Sequence, residues 1–327
     1  MTSSGVPEEA AVAAEITPPW SRRPRRSSWR RAAGAGVPYL LVLPVLVAIG
    51  AVLAYPLYEL VTLSFERYGL FELIRHQGTW IGLDNYRSVL GDSVFWHTLE
   101  RTVVFTIANV GLTMTLGTLI ALLLVRVSSV IRVLLTVGLV LVWSMPVVVA
   151  VQVWFWMTNF QNGVLNYVLT ELHLGDYFQH DWYATTFSKL AMVTTLIVWG
   201  AIPFVTISVY AALAQVPAEL VEAAEIDGAG PLRVFRDVTF PVLKPILLIL
   251  TSLSIIWDFG VFAQPWLLIT ASGWNASNYL MGIYIYVEGY AHSDYGRGAA
   301  ISLLMLLIVA ALSIFYVRQM VRSQDTA

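Results

Sequence analysis

Long apolar runs dominate the pattern of hydrophobic and polar positions along this chain. A helix needs about 20 largely apolar residues to cross the hydrocarbon core of a bilayer. Five runs without Asp, Glu, Lys or Arg are long enough, and a sixth is interrupted only by Asp258. The six predicted spans are residues 32–58, 102–125, 133–157, 190–216, 245–270 and 298–317. The pattern therefore predicts an all-α integral membrane protein with six transmembrane helices.

Composition agrees with that fold class. Hydrophobic residues make up 57% of the 327 residues and charged residues only 12%, with a mean hydropathy of +0.70. A soluble globular domain of this length carries about twice as many charged residues. The chain has no cysteine, which excludes a disulfide, a thiolate metal site and a cysteine nucleophile.

The distribution of positive charge orients the spans. Most Lys and Arg residues lie in the N-terminal segment, in the second and fourth connections and after the last span. Connections rich in Lys and Arg stay in the cytoplasm, so both termini are predicted to be cytoplasmic. Residues 1–31, which are polar and rich in Pro, Ser and Arg, are expected to form a disordered basic tail. Attraction to anionic lipid explains its charge better than nucleic-acid binding does.

The fourth connection, residues 215–244, has the punctuation of a helix-turn-helix. Pro217 is placed to begin a helix, Gly228 to end it and Pro231 to begin another. The expected apolar faces comprise Leu220, Val221 and Ala224 on the first helix and Leu232, Phe235 and Val238 on the second. Helices this short are unstable alone. Their apolar faces must be covered either by the protein's own helix ends or by a cytoplasmic partner.

A motif within this connection resembles the EAA loop of binding-protein-dependent ABC importer permeases. The loop reads E-A-A, three residues, G, nine residues and I-x-L-P, often with D-G-A around the glycine. The matching residues are Glu222, Ala223, Ala224, Asp227, Gly228, Ala229 and Pro241. Val238 and Phe240 replace the usual Ile and Leu and keep apolar side chains.

Other segments are similar to the maltose-type permeases, which import sugars and glycerol phosphate. They are "GLDNYRSVL" at 82–90, "GVLN" at 163–166, Trp199 with Pro203 and Phe204, and "YGRGAA" at 295–300. The last external loop departs from the family pattern, because Gly273 and Trp274 stand where a Gly-Pro pair is usual. The resemblance covers most of the chain after the basic tail.

The resemblance implies a type I importer permease that moves a carbohydrate across the bacterial cell membrane by alternating access. Its EAA helices, which connect transmembrane helices 4 and 5 on the cytoplasmic side, would contact a cytoplasmic ATPase. The implied partners are a second homologous permease subunit, two ATPase copies and an extracytoplasmic solute-binding protein. ATP and Mg would bind the ATPase, and this chain would hold no cofactor. The implied organisation is a tail at 1–31, the first helix and external loop at 32–96, the permease domain at 97–318 and a cytoplasmic tail at 319–327.

The energy source is limited by the chain's lysines. A P-loop ends in Gly-Lys followed by Ser or Thr, but neither Lys189 nor Lys244 follows a glycine. The chain is therefore predicted not to hydrolyse ATP by P-loop chemistry, and energy must come from a partner or an ion gradient. Because the sequence also offers no Ser-His-Asp order, HExxH motif or carboxylate pair placed for acid-base work, the chain is predicted not to be an enzyme. An ion-coupled carrier is the alternative mechanism. A phosphate ester, an amino acid or a peptide is the alternative solute.

The substrate-pathway candidates are Trp199, Trp257, Asp258, Gln264 and Trp154. Sugar rings stack their apolar faces on indoles, and their hydroxyls bond carboxylates and amides. A carboxylate within a span is a functional candidate. The alternative role for Asp258 is structural, as a cap for backbone groups freed by Pro265. Trp154 also suits the aromatic belt at the membrane surface. The five histidines are scattered, so no metal site is predicted.

Overall fold

The computed structural model describes residues 28–269, 273 and 275–324. The predicted tail at 1–31 lies outside them, except for residues 28–31, and so do Thr270 and Trp274. Two compact units are distinguished, Met1–Tyr58 and Glu59–Ala327. The first includes most of the first long helix, and the second holds all later elements.

The described chain is mostly helical. In order, the helices are α1 (Ser28–Ser64), α2 (Leu70–Arg75), α3 (Asp84–Leu90), α4 (Ser93–Arg126), α5 (Ser129–Trp143), α6 (Val147–Met157), α7 (Val164–Glu171), α8 (Thr186–Leu213), α9 (Ala218–Ile226), α10 (Pro231–Val234), α11 (Phe240–Phe259), α12 (Ala263–Ile269), α13 (Met281–Tyr286) and α14 (Tyr295–Gln324). Two π-helical turns, π1 (Phe235–Thr239) and π2 (Val287–Ala291), extend α10 and α13. A hairpin of two short strands, β1 (Glu66–Arg67) and β2 (Thr79–Trp80), was not predicted.

Five helices in the described chain are long and apolar enough to cross a membrane. They contain or overlap the predicted spans 32–58, 102–125, 190–216, 245–270 and 298–317. The remaining prediction, a single span at 133–157, is wrong in shape. That segment is the pair α5 and α6, bent by 100°. Pro146 has no N–H to continue a helix and disfavours helical backbone at Met145, so the helix breaks there.

The fifth span also differs from its prediction. A continuous helix begins at Pro231 and ends at Phe259, and α12 follows as a separate helix after Gly260. The expected second short helix of the fourth connection is therefore the start of this span and not a separate element. At π1 the Phe240 N–H donates to the carbonyl of Phe235. This wider turn accommodates Pro241, which cannot donate to the carbonyl of Asp237.

The contact between α4 and α8 forms the centre of the bundle. The buried face of α4 carries small polar residues at helical spacing, namely Thr98, Thr102, Thr106, Asn109 and Thr113. Gly117 permits close approach, because a Cβ there would lie 2.7 Å from a methyl carbon of Val205. The Thr206 hydroxyl donates to the carbonyl of Gly117 at 3.2 Å. Small side chains of this kind let membrane helices pack closely.

A charged cluster joins the elements at the end of the bundle where α4 and α14 begin. The Arg297 side chain, only 19% exposed, lies 3.1 Å from a Glu288 carboxylate oxygen. It also donates to Asp92 and, at 2.9 Å, to Ser88. Tyr284 completes the cluster, and burial raises the pKa of its phenol, which therefore remains a donor. One guanidinium thus ties together α3, α4, π2 and α14.

Candidate functional site

A cavity of about 440 Å³ opens between α5, α6, α8, α11 and α12. Its lining includes Trp199, Trp257, Asp258 and Gln264, four of the five predicted pathway residues. They come from three separate helices. Their role in transport stays a prediction, but the fold brings them to one place.

Helix interruptions shape this cavity. The α5–α6 break at Pro146 contributes Trp143, Met145 and Val147 to the lining. The α11–α12 break at Gly260 contributes residues on both of its sides. Discontinuous helices line the substrate sites of many transporters, because their irregular backbone is tolerated only against protein or a polar cavity.

A proline inside α8 adds a backbone acceptor at the same level. Pro203 has no N–H, so the carbonyl of Trp199, four residues earlier, lacks its intrahelical donor. Trp199 itself lines the cavity. A solute hydroxyl there would have a carbonyl within the span to donate to.

The aromatic residues form a connected wall. Trp143 stacks on Phe204 with ring centroids 6.1 Å apart and planes at 18°. Phe204 lies 5.5 Å from Trp257, whose side chain is 54% exposed in this chain. This wall offers indole faces to the apolar side of a sugar ring.

Two polar residues line the same cavity. Asp258 stands in the last turn of α11 and is only 7% exposed, whereas Gln264 is half-buried in the first turn of α12. Pro265 lies in that same first turn, where helix N–H groups are unpaired in any case. It therefore frees no group inside a helix, which weakens the capping interpretation of Asp258.

Trp154 lies behind the cavity and does not line it. Its ring centroid is 5.9 Å from that of Trp199, and it packs against the core cluster that contains Leu196. Its indole Nε1 is buried and has no hydrogen-bond partner among the described residues. An interfacial tryptophan would keep this nitrogen in contact with water or head groups.

The lining includes aromatic residues that the sequence prediction missed. Trp143, Phe204 and Phe262 all face the cavity. The signal that would have found them is a proline or glycine within three residues of each, inside an apolar run. The described residues contain no group of three or more His, Cys, Asp or Glu that could hold a metal ion.

The matched motif in the fourth connection forms a helix end with a defined cap. We call residues 214–230 the α9 loop. Past Ile226, the Gly228 N–H donates to the carbonyl of Glu225 and the Ala229 N–H to that of Ala224, both at 3.0 Å. This is a Schellman motif, which places a residue with positive φ at the position of Gly228. The observed φ there is 80°.

The surface of this region is incompletely covered by its own chain. Val221 and Ala224 are half-buried as predicted for an apolar face, but Leu220 is exposed. Ile226 and Leu232 are 86% and 81% exposed. The described part of the chain therefore leaves these two side chains uncovered.

Two acidic residues of α9 border a second cavity, of about 450 Å³. Glu222 and Glu225 line it together with Arg126 at the end of α4. In the second helix the buried residue is Val234, which the sequence prediction did not select, while Phe235 and Val238 are half-buried. The α9 loop therefore contacts the ends of the long helices and also presents an open apolar and acidic face.

Comparison with known proteins identifies a family and several relatives of this chain. Residues 113–322 match the family described as binding-protein-dependent transport system inner membrane component. The permease protein DasB of a Streptomyces coelicolor diacetylchitobiose uptake system is 42% identical over 90% of this chain and 89% of its own. The inner membrane ABC transporter permease protein YcjO of Escherichia coli is 32% identical over 83% of this chain and 90% of its own.

The fold is also similar to that of a solved structure. A chain of a bacterial ABC transporter involved in the import of alginate aligns with a TM-score of 0.71, covering 90% of this chain and 98% of its own, at 17% identity. The chain belongs to the family of binding-protein-dependent transport system inner membrane components and is the non-enzymatic, multi-pass permease subunit of an ABC importer.

Proposed function

We propose that this chain moves a mono- or oligosaccharide across the membrane through the cavity between α5, α6, α8, α11 and α12. The observation that carries the proposal is the convergence of Trp199, Trp257, Asp258 and Gln264 on that cavity. A cavity lined by aromatic rings, a carboxylate and an amide suits a ligand with apolar C–H faces and many hydroxyls.

The names of related permeases support a carbohydrate. They include uptake systems for diacetylchitobiose, for trehalose and maltose in Thermococcus litoralis, and for arabinooligosaccharides in Halalkalibacterium halodurans. The trehalose/maltose permease is 29% identical over 86% of this chain. No observation on this chain favours a phosphate ester, an amino acid, a peptide or an ion-coupled carrier.

The proposed assembly contains a second homologous permease, two ATPase copies and an extracytoplasmic binding protein. ATP and Mg would bind the ATPase. The α9 loop would lie in the cytoplasm, as would both termini, with its open face on the ATPase. Exposed Leu220 and Ile226 of the loop, with Leu232 of α10, supply apolar contact area there, and Glu222 supplies a negative charge for a basic residue of the ATPase.

The substrate proposal is tested by comparing two tryptophans. Trp257 lines the cavity, whereas Trp156 is exposed elsewhere and does not. In proteoliposomes with the full complex, Trp257→Ala should lower uptake of labelled diacetylchitobiose or maltose about tenfold, since a stack worth about 1.4 kcal/mol equals a factor of ten. Trp156→Ala should transport normally. Equal uptake by the two variants, or transport of amino acids alone, contradicts the proposal.

The coupling proposal is tested on two acids of α9. Glu222→Arg reverses a charge that borders the second cavity, and Glu219→Arg makes the same change outside it. We expect Glu222→Arg to lower sugar transported per ATP about tenfold through charge repulsion at a docking contact, with membrane insertion intact. Glu219→Arg should be close to wild type. Full transport by Glu222→Arg would exclude this contact.

A further inference from the structure

Arg132, in the first turn of α5, closes the end of a neighbouring helix. Its Nε donates to the carbonyl of Leu124 at 2.8 Å, and its Nη2 donates to that of Val127 at 3.1 Å and more weakly to that of Val125 at 3.4 Å. These carbonyls belong to the end of α4, where no further turn supplies N–H donors. A cation there is also favoured by the helix dipole.

The same guanidinium contacts a third helix. Its central carbon lies 5.9 Å from the ring centroid of Tyr210, within the range of a cation–π interaction. Tyr210 is one turn before the end of α8 at Leu213, and the α9 loop begins directly after that end. Arg132 therefore joins α4, α5 and α8 beside the loop.

These helices also reach the translocation cavity. Trp143 ends α5, eleven residues after Arg132, which corresponds to about 16 Å along a helix. It stacks on Phe204 of α8, and both residues line the cavity. A displacement of the end of α8 relative to α5 would thus change the contact of Arg132 with Tyr210 at one end of α5. It would also change the Trp143–Phe204 stack at the other end.

We propose that Arg132 is a positioning residue that couples movement of the α9 loop to the aromatic wall of the cavity. It keeps α5 attached to the ends of α4 and α8, so that the three helices move together when the loop is displaced. Without it, the loop moves the end of α8 while α5 stays behind. The proposal rests on the proposed coupling role of the α9 loop.

The test measures sugar transported per ATP hydrolysed in proteoliposomes with the full complex. Arg132→Gln removes the charge and Tyr210→Leu removes the ring, and each should lower the ratio about tenfold with ATPase activity retained. Arg132→Lys should be intermediate, because it keeps a charge without the planar fork. Tyr210→Phe keeps the ring and should match the wild type. Arg318→Gln, an exposed charge loss on α14, is the control.

The outcomes separate the role of Arg132 from the coupling role of the α9 loop. A wild-type ratio in Arg132→Gln and Tyr210→Leu overturns the inference. So does loss of ATPase co-purification in these variants, because the defect would then lie in ATPase docking and not in the connection between the α9 loop and the cavity. If Glu222→Arg uncouples the complex while Arg132→Gln does not, the inference fails alone. If Glu222→Arg transports normally, the proposed role of the loop fails as well.

Discussion

A substitution at Gly228 tests the backbone conformation of the α9 loop. The conformation at this position favours glycine, whereas the surrounding space would accept a side chain. Its φ is 80°, and an added Cβ would meet no described atom within 4 Å. An L-residue in the left-handed region costs about 1–2 kcal/mol, and a β-branched one lies at the upper end. Since 1.4 kcal/mol is a factor of ten, Gly228→Val should reduce the population of the native loop about tenfold or more.

Gly230 is the matched control in the same loop. An added Cβ there also meets no described atom within 4 Å, but its φ of −69° and ψ of 166° are extended. Extended backbone suits a residue before proline, here Pro231. Gly230→Val should therefore keep the native loop conformation. The substitution lowers the conformational entropy of the unfolded chain, which should stabilise the folded protein by about 0.4–1 kcal/mol. The two variants add the same side chain and differ only in the φ that it must adopt.

The assay is co-purification of the ATPase subunit, followed by ATP-driven sugar uptake in proteoliposomes at equal permease content. We expect Gly228→Val to lose about tenfold in uptake and Gly230→Val to match the wild type. Equal, undiminished uptake would show that the Schellman turn is dispensable. Equal losses in both variants would show that added bulk matters and the left-handed conformation at Gly228 does not, which is also contrary to the prediction.

Three further changes probe other parts of the molecule. Arg297→Met leaves the Asp92 and Glu288 carboxylates close together without their cation, and should lower the free energy of unfolding by about 2 kcal/mol after allowance for partial exposure. The loss should be seen as a lower melting temperature in detergent, and an unchanged temperature would contradict this. Asp258→Asn removes a carboxylate from the cavity and should lower sugar uptake severalfold with assembly unchanged on size-exclusion chromatography, whereas normal uptake would assign Asp258 a structural role. Pro146→Ala restores an N–H at the α5–α6 break, so spin labels on cysteines introduced into the two helices should move apart; an unchanged distance would mean that other contacts hold the bend.

The spans could be predicted from the sequence because each depends on one local property, a run of about 20 apolar residues. Their breaks were harder to predict, because composition does not change across them. Pro146 bends one predicted span by 100°, whereas Pro241 and Pro245 are absorbed within a continuous helix. At Pro241 the wider turn π1 accommodates the missing N–H.

The candidate site was predicted in part for a similar reason. Asp258 and Trp257 stand out as a charge and an indole inside an apolar run, and both line the cavity. Trp154 has the same local signal but lies behind Trp199, because which face of a helix meets a cavity depends on its neighbours. Arg132 gave no local signal, since its contacts with the end of α4 and with Tyr210 exist only after the helices pack.

ATP-driven sugar import by this permease can be measured directly as sugar accumulation in proteoliposomes that contain this permease, its partner permease, the ATPase and the binding protein. ATP is supplied on the ATPase side, and ionophores remove every ion gradient. We predict that labelled sugar accumulates above its external concentration with ATP and Mg, and not with a non-hydrolysable analogue. Accumulation driven by an ion gradient without ATP would contradict the proposed energy source. No accumulation of any carbohydrate would contradict the proposed substrate class.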